Sequence, residues 1–191
     1  MPSNQGHCFF ETEFELRTED NTITVAGLAV PYGKAFRVNH VLDEELVPGV
    51  FGDSVKNTKI GLHTQHNHRA GPFARTGSGT LELDDRPDGL YFRAKLDTRD
   101  PAVQSLAIQL ERKDIDGISP GFYWKKSDTV LSRRSDRRIH RLIKKAGLFE
   151  ISLTHKPTYT DTYAELRSED LAGLDPVIIP VFPAHLSLNP F

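Results

Sequence analysis

In the stretch Gly147-Leu148-Phe149-Glu150-Ile151-Ser152-Leu153-Thr154 the side chains alternate with a period of two: Phe149, Ile151 and Leu153 on one face, Leu148, Glu150 and Ser152 on the other. The run reads as a strand, and the neighbouring segments read the same way. Residues 138–145 and 117–123 carry the strand period, with Ile118 and Phe122 facing one way and Ser119, Gly121 and Tyr123 the other. Leu81 and Leu83 are linked to Leu90, Phe92, Ala94 and Leu96 through Asp85-Arg86-Pro87-Asp88-Gly89, which is turn chemistry between two period-2 runs and predicts a hairpin. An earlier hairpin is expected between 10–16 and the β-branched run 22–30, joined at Glu19-Asp20-Asn21. In its first arm Phe10, Thr12, Phe14 and Leu16 oppose Glu11, Glu13 and Glu15.

One helix is well signalled. Asp100-Pro101 supplies an N-cap and a first turn, and Val103, Leu106, Ala107 and Leu110 recur at helical spacing up to about Lys113. Residues 43–56 read as a loop containing one short helix in VFGDSVKN, and 127–136 as a polar loop. Residues 60–65 form a short strand that delivers a histidine cluster at its end. Three prolines in PVIIPVFP exclude a regular helix or a central strand. The expected organisation is an N-terminal extension at 1–7, one domain at 8–167 and a Pro-rich C-terminal tail at 168–191.

Composition narrows the function classes. With 191 residues, 38% hydrophobic and 26% charged, the chain suits a globular domain with one real core. Its formal charge is −2, because 24 basic residues nearly cancel 26 acidic ones, so no global field draws in nucleic acid. Cys8 is the only cysteine, which rules out an intramolecular disulfide and a thiolate metal cage and suits a reducing cytosol. No apolar run approaches the roughly 20 residues of a membrane helix, and no export signal is legible, so neither membrane nor secretion is expected.

Three segments carry chemistry: His66 in LHTQHNH, Ser119 in DGISPGF and Glu150 in GLFEISL. A serine hydroxyl is too weak an acid to attack a carbonyl unaided; an imidazole must take its proton while a third group holds that imidazole. Each residue has a plainer reading. His63, His66 and His68 suggest zinc, but on a strand His66 and His68 share a face that His63 opposes, and no cysteine stands by, so no metal site is expected; solvated loop histidines are the other reading. Ser119 precedes Pro120-Gly121 and reads equally as a turn serine, although a glycine on its face would let a substrate backbone approach. Glu150 reads either as part of a wet strand face or as a carboxylate kept among apolar groups for a hydrogen bond to a partner such as His66. Ser152 is a rival nucleophile. Lys125, Lys126, Lys144 and Lys145 would suit a serine-lysine dyad but lie in charged surroundings and are expected to face solvent.

The ordered set resembles the prohead proteases of tailed bacteriophages, which belong with the herpesvirus assemblins among serine proteases. The resemblance runs from about Val25 to Arg167. It rests on the hairpin at 27–32, Glu45-Leu46-Val47-Pro48-Gly49-Val50-Phe51, Gln65-His66 and Asp88-Gly89-Leu90, then on Gly117-Ile118-Ser119-Pro120-Gly121-Phe122 and Leu148-Phe149-Glu150-Ile151-Ser152-Leu153 before Pro157. Asn67 stands where the family commonly has an aspartate, and Pro120 where a small apolar residue is usual; Pro120 also lacks the N–H that could serve an oxyanion.

The resemblance implies His66 as general base, Ser119 as nucleophile and Glu150 as third member, with no cofactor and no metal. It implies a β-rich α+β fold, a single mixed, mainly antiparallel β-barrel with few flanking helices. It implies action inside an assembling procapsid in the host bacterial cytoplasm, on capsid protein and scaffold segments and on the enzyme itself. No nucleic acid or membrane partner is expected, and a homo-oligomer is left open. The other function readings are a catalytically inactive capsid- or scaffold-binding module and a metallohydrolase.

Overall fold

The computed structural model describes residues 4–57 and 59–155; the tail expected at 168–191 lies outside them. In chain order the elements are β1 (Asn4–His7), β2 (Phe10–Glu11), β3 (Glu15–Glu19), β4 (Thr22–Pro31), β5 (Phe36–Arg37) and β6 (Leu42–Leu46), then the single-turn helix α1 (Ser54–Asn57). There follow β7 (Gly61–Thr64), β8 (Ala74–Arg75), β9 (Leu81–Arg86), β10 (Gly89–Asp97) and helix α2 (Pro101–Glu111). The last four strands are β11 (Gly117–Trp124), β12 (Thr129–Arg133), β13 (Ile139–Ile143) and β14 (Gly147–Thr154).

The strands form three sheets. The largest runs β1-β11-β14-β7-β8 with β2 also on β11, the second β3-β4-β10-β9, and the third β12-β13-β6-β5. Pairing is mainly antiparallel, with parallel joints at β14·β7 and β13·β6. The fold is therefore β-rich, mixed and mainly antiparallel, as expected. The single barrel is not borne out: among the described residues no sheet closes on itself, and β2, β5 and β8, which lie at or beside sheet edges, are two residues each.

The second hairpin forms where turn chemistry placed it, β9 meeting β10 across Pro87-Asp88. Helix α2 starts at its expected cap, Asp100 Oδ1 accepting from the Ala102 N–H at 2.9 Å, and buries Val103, Leu106 and Leu110. The first hairpin differs. Phe10 is buried and Glu11, Glu13 and Glu15 are exposed as the alternation requires, but one alternating run is shared between two sheets, since β2 pairs with β11 and only β3 pairs with β4. Two expected loops also contain strands. Within 43–56, β6 carries the buried acids Asp43 and Glu44, and within 127–136, β12 pairs with β13.

One apolar core joins all three sheets and α2, with Phe51, Phe122, Leu62, Leu90 and Leu148 among its fully buried side chains and Leu46 and Ile143 entering from the third sheet. Strand β14 runs through the middle of the largest sheet, buried along nearly its whole length between an antiparallel and a parallel neighbour. Its apolar run matches a strand covered on both faces.

Candidate active site

Three adjoining strands build the floor of the site. Ser152 of β14 pairs with Ser119 of β11 on one side and His63 of β7 on the other; one step along, Glu150 pairs with Gly121 and Gly61. Cross-strand partners share a face, so two serines and a histidine lie in one row and a glutamate between two glycines in the next. A Cβ on Gly121 would stand 2.6 Å from Glu150 Cγ and 2.8 Å from its Oε1, and one on Gly61 would stand 2.7 Å from His63 Nε2. The glycines are the space that the carboxylate and the imidazole occupy. Gly121 thus admits Glu150 and Phe149 rather than a substrate backbone.

A bulge in β14 aims Glu150. The β11 partner steps from Gly121↔Glu150 to Phe122↔Leu148, leaving Phe149 as the extra residue. Simple alternation puts Leu148 on the Glu150 face and Phe149 in the core; instead Leu148 is fully buried in the core and half-buried Phe149 lies 2.7 Å from the Cβ position of Gly121. Bulges commonly re-aim side chains beside active sites.

His66 reaches the carboxylate from a turn after β7. Gln65 and His66 both have left-handed backbone, φ +50 and +53, which is uncommon for side-chain-bearing residues and must be held by surrounding bonds. The holding bonds come from the end of β14. The Gln65 N–H donates to the Leu153 carbonyl at 3.0 Å, the His66 N–H to Ser152 Oγ at 2.8 Å, and Thr154 Oγ1 donates to Gln65 Oε1 at 2.8 Å. With the turn fixed, His66 Nδ1 lies 2.7 Å from Glu150 Oε1, the carboxylate being 1% exposed and the imidazole 30%. Ser152, the rival nucleophile, is the acceptor that anchors the His66 backbone.

The other carboxylate oxygen is also engaged. His68 Nε2 lies 3.1 Å from Glu150 Oε2, and the His68 ring packs at a 51° tilt against that of His63, 4.7 Å between centroids. His63 does not oppose the other two, because the left-handed pair at 65–66 ends the strand geometry on which that expectation rested. Burial holds the His63 imidazole below its usual range, against the upward pull of Glu150. One ligand atom each from His63, His68 and Glu150 falls within 4.8 Å of the others, the spacing of a group that could hold a metal ion.

Ser119 is 4% exposed beside Ser152, and among the described residues no hydrogen bond links its hydroxyl to His66. Lys125, Lys126, Lys144 and Lys145 are all exposed, which does not suit a desolvated base. Sequence reasoning missed the part of His68 and the anchoring role of Ser152. The legible signal was a small residue opposite each end of the buried acid, visible only once the strand register is known.

Ser119 on β11, Glu150 on β14 and His66 in the turn after β7 bring the residue types of a serine-type hydrolase to one region of the largest sheet. The chain belongs to the caudovirus prohead serine protease family, whose model matches residues 12–175. It is a serine peptidase, and the family's role is maturation of the phage capsid, within the procapsid and on capsid proteins. No curated protein and no solved structure matches the chain. No helix among the described residues is long and apolar enough to cross a membrane.

Proposed function

We propose that Ser119 is the nucleophile, His66 its general base and Glu150 the group that orients and stabilises the imidazolium, and that the enzyme cleaves scaffold segments from capsid protein and finally cuts itself. The observation that carries this reading is the 2.7 Å contact of His66 Nδ1 with a carboxylate that is 1% exposed. A carboxylate at Nδ1 fixes the tautomer, so proton transfer falls to Nε2. Ser119 supports the reading by its place in the row: it is the cross-strand partner of Ser152, whose hydroxyl holds the His66 backbone.

In this mechanism Nε2 removes the Ser119 proton as Oγ adds to the scissile carbonyl. The same proton passes to the leaving amine as the peptide bond breaks, and water, deprotonated by His66, releases the acyl group. Pro120 has no N–H, so the oxyanion is stabilised by donors outside that position. Catalytic hydrogen bonds tighten when substrate binds, which accommodates the Ser119–His66 gap.

Replacing Ser119 with alanine should abolish processing of a co-expressed capsid precursor, a loss of at least about 10⁴-fold, with the thermal midpoint unchanged. Continued processing by that variant overturns the assignment. A serine-reactive phosphonate separates the enzyme from a non-catalytic capsid- or scaffold-binding module: stoichiometric labelling at Ser119 is the enzyme's result, and tight capsid-protein binding without labelling is the module's.

A further inference from the structure

We propose that the cluster of His63, His68 and Glu150 is a binding site for a zinc-type divalent transition-metal ion, and that an ion bound there competes with His66 for the carboxylate and so inhibits the peptidase. The inhibitory part rests on the catalytic reading above; the binding part does not.

Two imidazoles and a carboxylate are a common donor set for zinc, with metal–ligand distances of about 2.0–2.1 Å, so tetrahedral ligand atoms lie roughly 3.3 Å apart. His68 Nε2 and Glu150 Oε2 are already 3.1 Å apart, and the three ligand atoms lie within 4.8 Å of one another. The third donor is the built part of the site. His63 is only 7% exposed, its ring lies over Gly61, and among the described residues its Nδ1 has no hydrogen-bond partner. A buried imidazole nitrogen without a partner is costly in any protein interior, and a ligand is one way to satisfy it.

The site is reachable, because the His68 side chain is 58% exposed while it contacts the buried carboxylate and packs against the His63 ring. Binding requires His68 to present the Nε2 lone pair, with any remaining ring proton on Nδ1; if His68 is protonated beforehand, one proton is released to water. Glu150 then bridges, Oε2 on the ion and Oε1 on His66 Nδ1. Its negative charge is drawn toward the ion, and it stabilises an imidazolium at His66 less well.

The test starts with the Ser119→Ala chain, in which self-cleavage is removed and the three ligands are intact. Zinc chloride is titrated into it in competition with a chromophoric chelator. One ion should bind per chain, and His68→Gln in the same background, whose exposed position leaves the fold unchanged by circular dichroism, should weaken binding at least about tenfold, as should His63→Gln. Failure to compete with the chelator, or equal affinity in His68→Gln, overturns the site. In the active chain zinc should inhibit cleavage of a peptide substrate and chelation should restore it; binding without inhibition overturns the competition. If Ser119→Ala binds zinc but the unaltered chain cleaves nothing, the catalytic assignment fails and the metal site stands on the binding result.

Discussion

At the scale of single residues, Glu150 is the shared acceptor of the site. Its two oxygens face His66 and His68 at 2.7 and 3.1 Å, and almost none of it meets water. Glu150→Gln keeps the volume and removes the charge, so kcat should fall roughly 10³- to 10⁴-fold with KM little changed, read by steady-state kinetics on a peptide substrate. Gly121→Ala tests position instead of charge. The new methyl would sit 2.6 Å from Glu150 Cγ and 2.7 Å from Phe149 Cε2, so the carboxylate must move. A displacement of about 1 Å costs roughly 100-fold in rate, and overpacking costs about 1–3 kcal/mol of stability. A variant with normal kcat would mean that the glutamate position is not what sets the rate.

At the scale of elements, the bulge in β14 and the left-handed pair after β7 bring the acid and the imidazole together. Deleting Phe149 would restore even pairing with β11 while Leu148 stays opposite Phe122 in the core, so the urea midpoint should change little, but Glu150 would lose the bulge that aims it and kcat should fall roughly 100-fold. Ser152→Ala would leave the His66 N–H without its acceptor and cost about 1–2 kcal/mol.

These features also mark the limit of what the sequence discloses. The second hairpin and α2 are legible because their signals are local: Pro87-Asp88 in the turn, Asp100-Pro101 at the cap. Ser119, His66 and Glu150 are legible as residue types, and the sheet register does bring their strands side by side. The bulge at Phe149 is not, because period-2 reading has no means of detecting one extra residue. Nor is β6, whose Leu-Asp-Glu-Glu-Leu reads as polar until its acids find arginines nearly a hundred positions away, Glu44 with Arg141 at 2.7 Å and Asp43 with Arg138 at 2.9 Å.

At the scale of the whole molecule those same pairs hold the third sheet. Arg141 of β13 bonds Glu44 of β6 and also lies over the ring of Trp124 in the largest sheet, 5.4 Å from its centroid, so one guanidinium links two sheets. Asp43 makes the more testable contribution. Arg138 donates to it through Nε and to the Asn39 carbonyl at 2.8 Å, and hydrogen bonding and charge from Arg138, with Arg37 and Arg134 nearby, hold the Asp43 carboxyl below its usual range against the opposing effect of burial. Because the folded chain binds that proton less tightly than the unfolded chain, the stabilisation is fully present above the unfolded value of about 3.9 and is lost as pH falls through the lower folded value. Asp43→Asn leaves a guanidinium whose side chain is 10% exposed without its counter-ion, costing about 3 kcal/mol at pH 7. In urea unfolding followed across pH, wild type and variant should therefore differ most above about pH 5 and converge toward pH 3. A gap that stays constant down to pH 3 would show that Asp43 acts through packing and not through its charge.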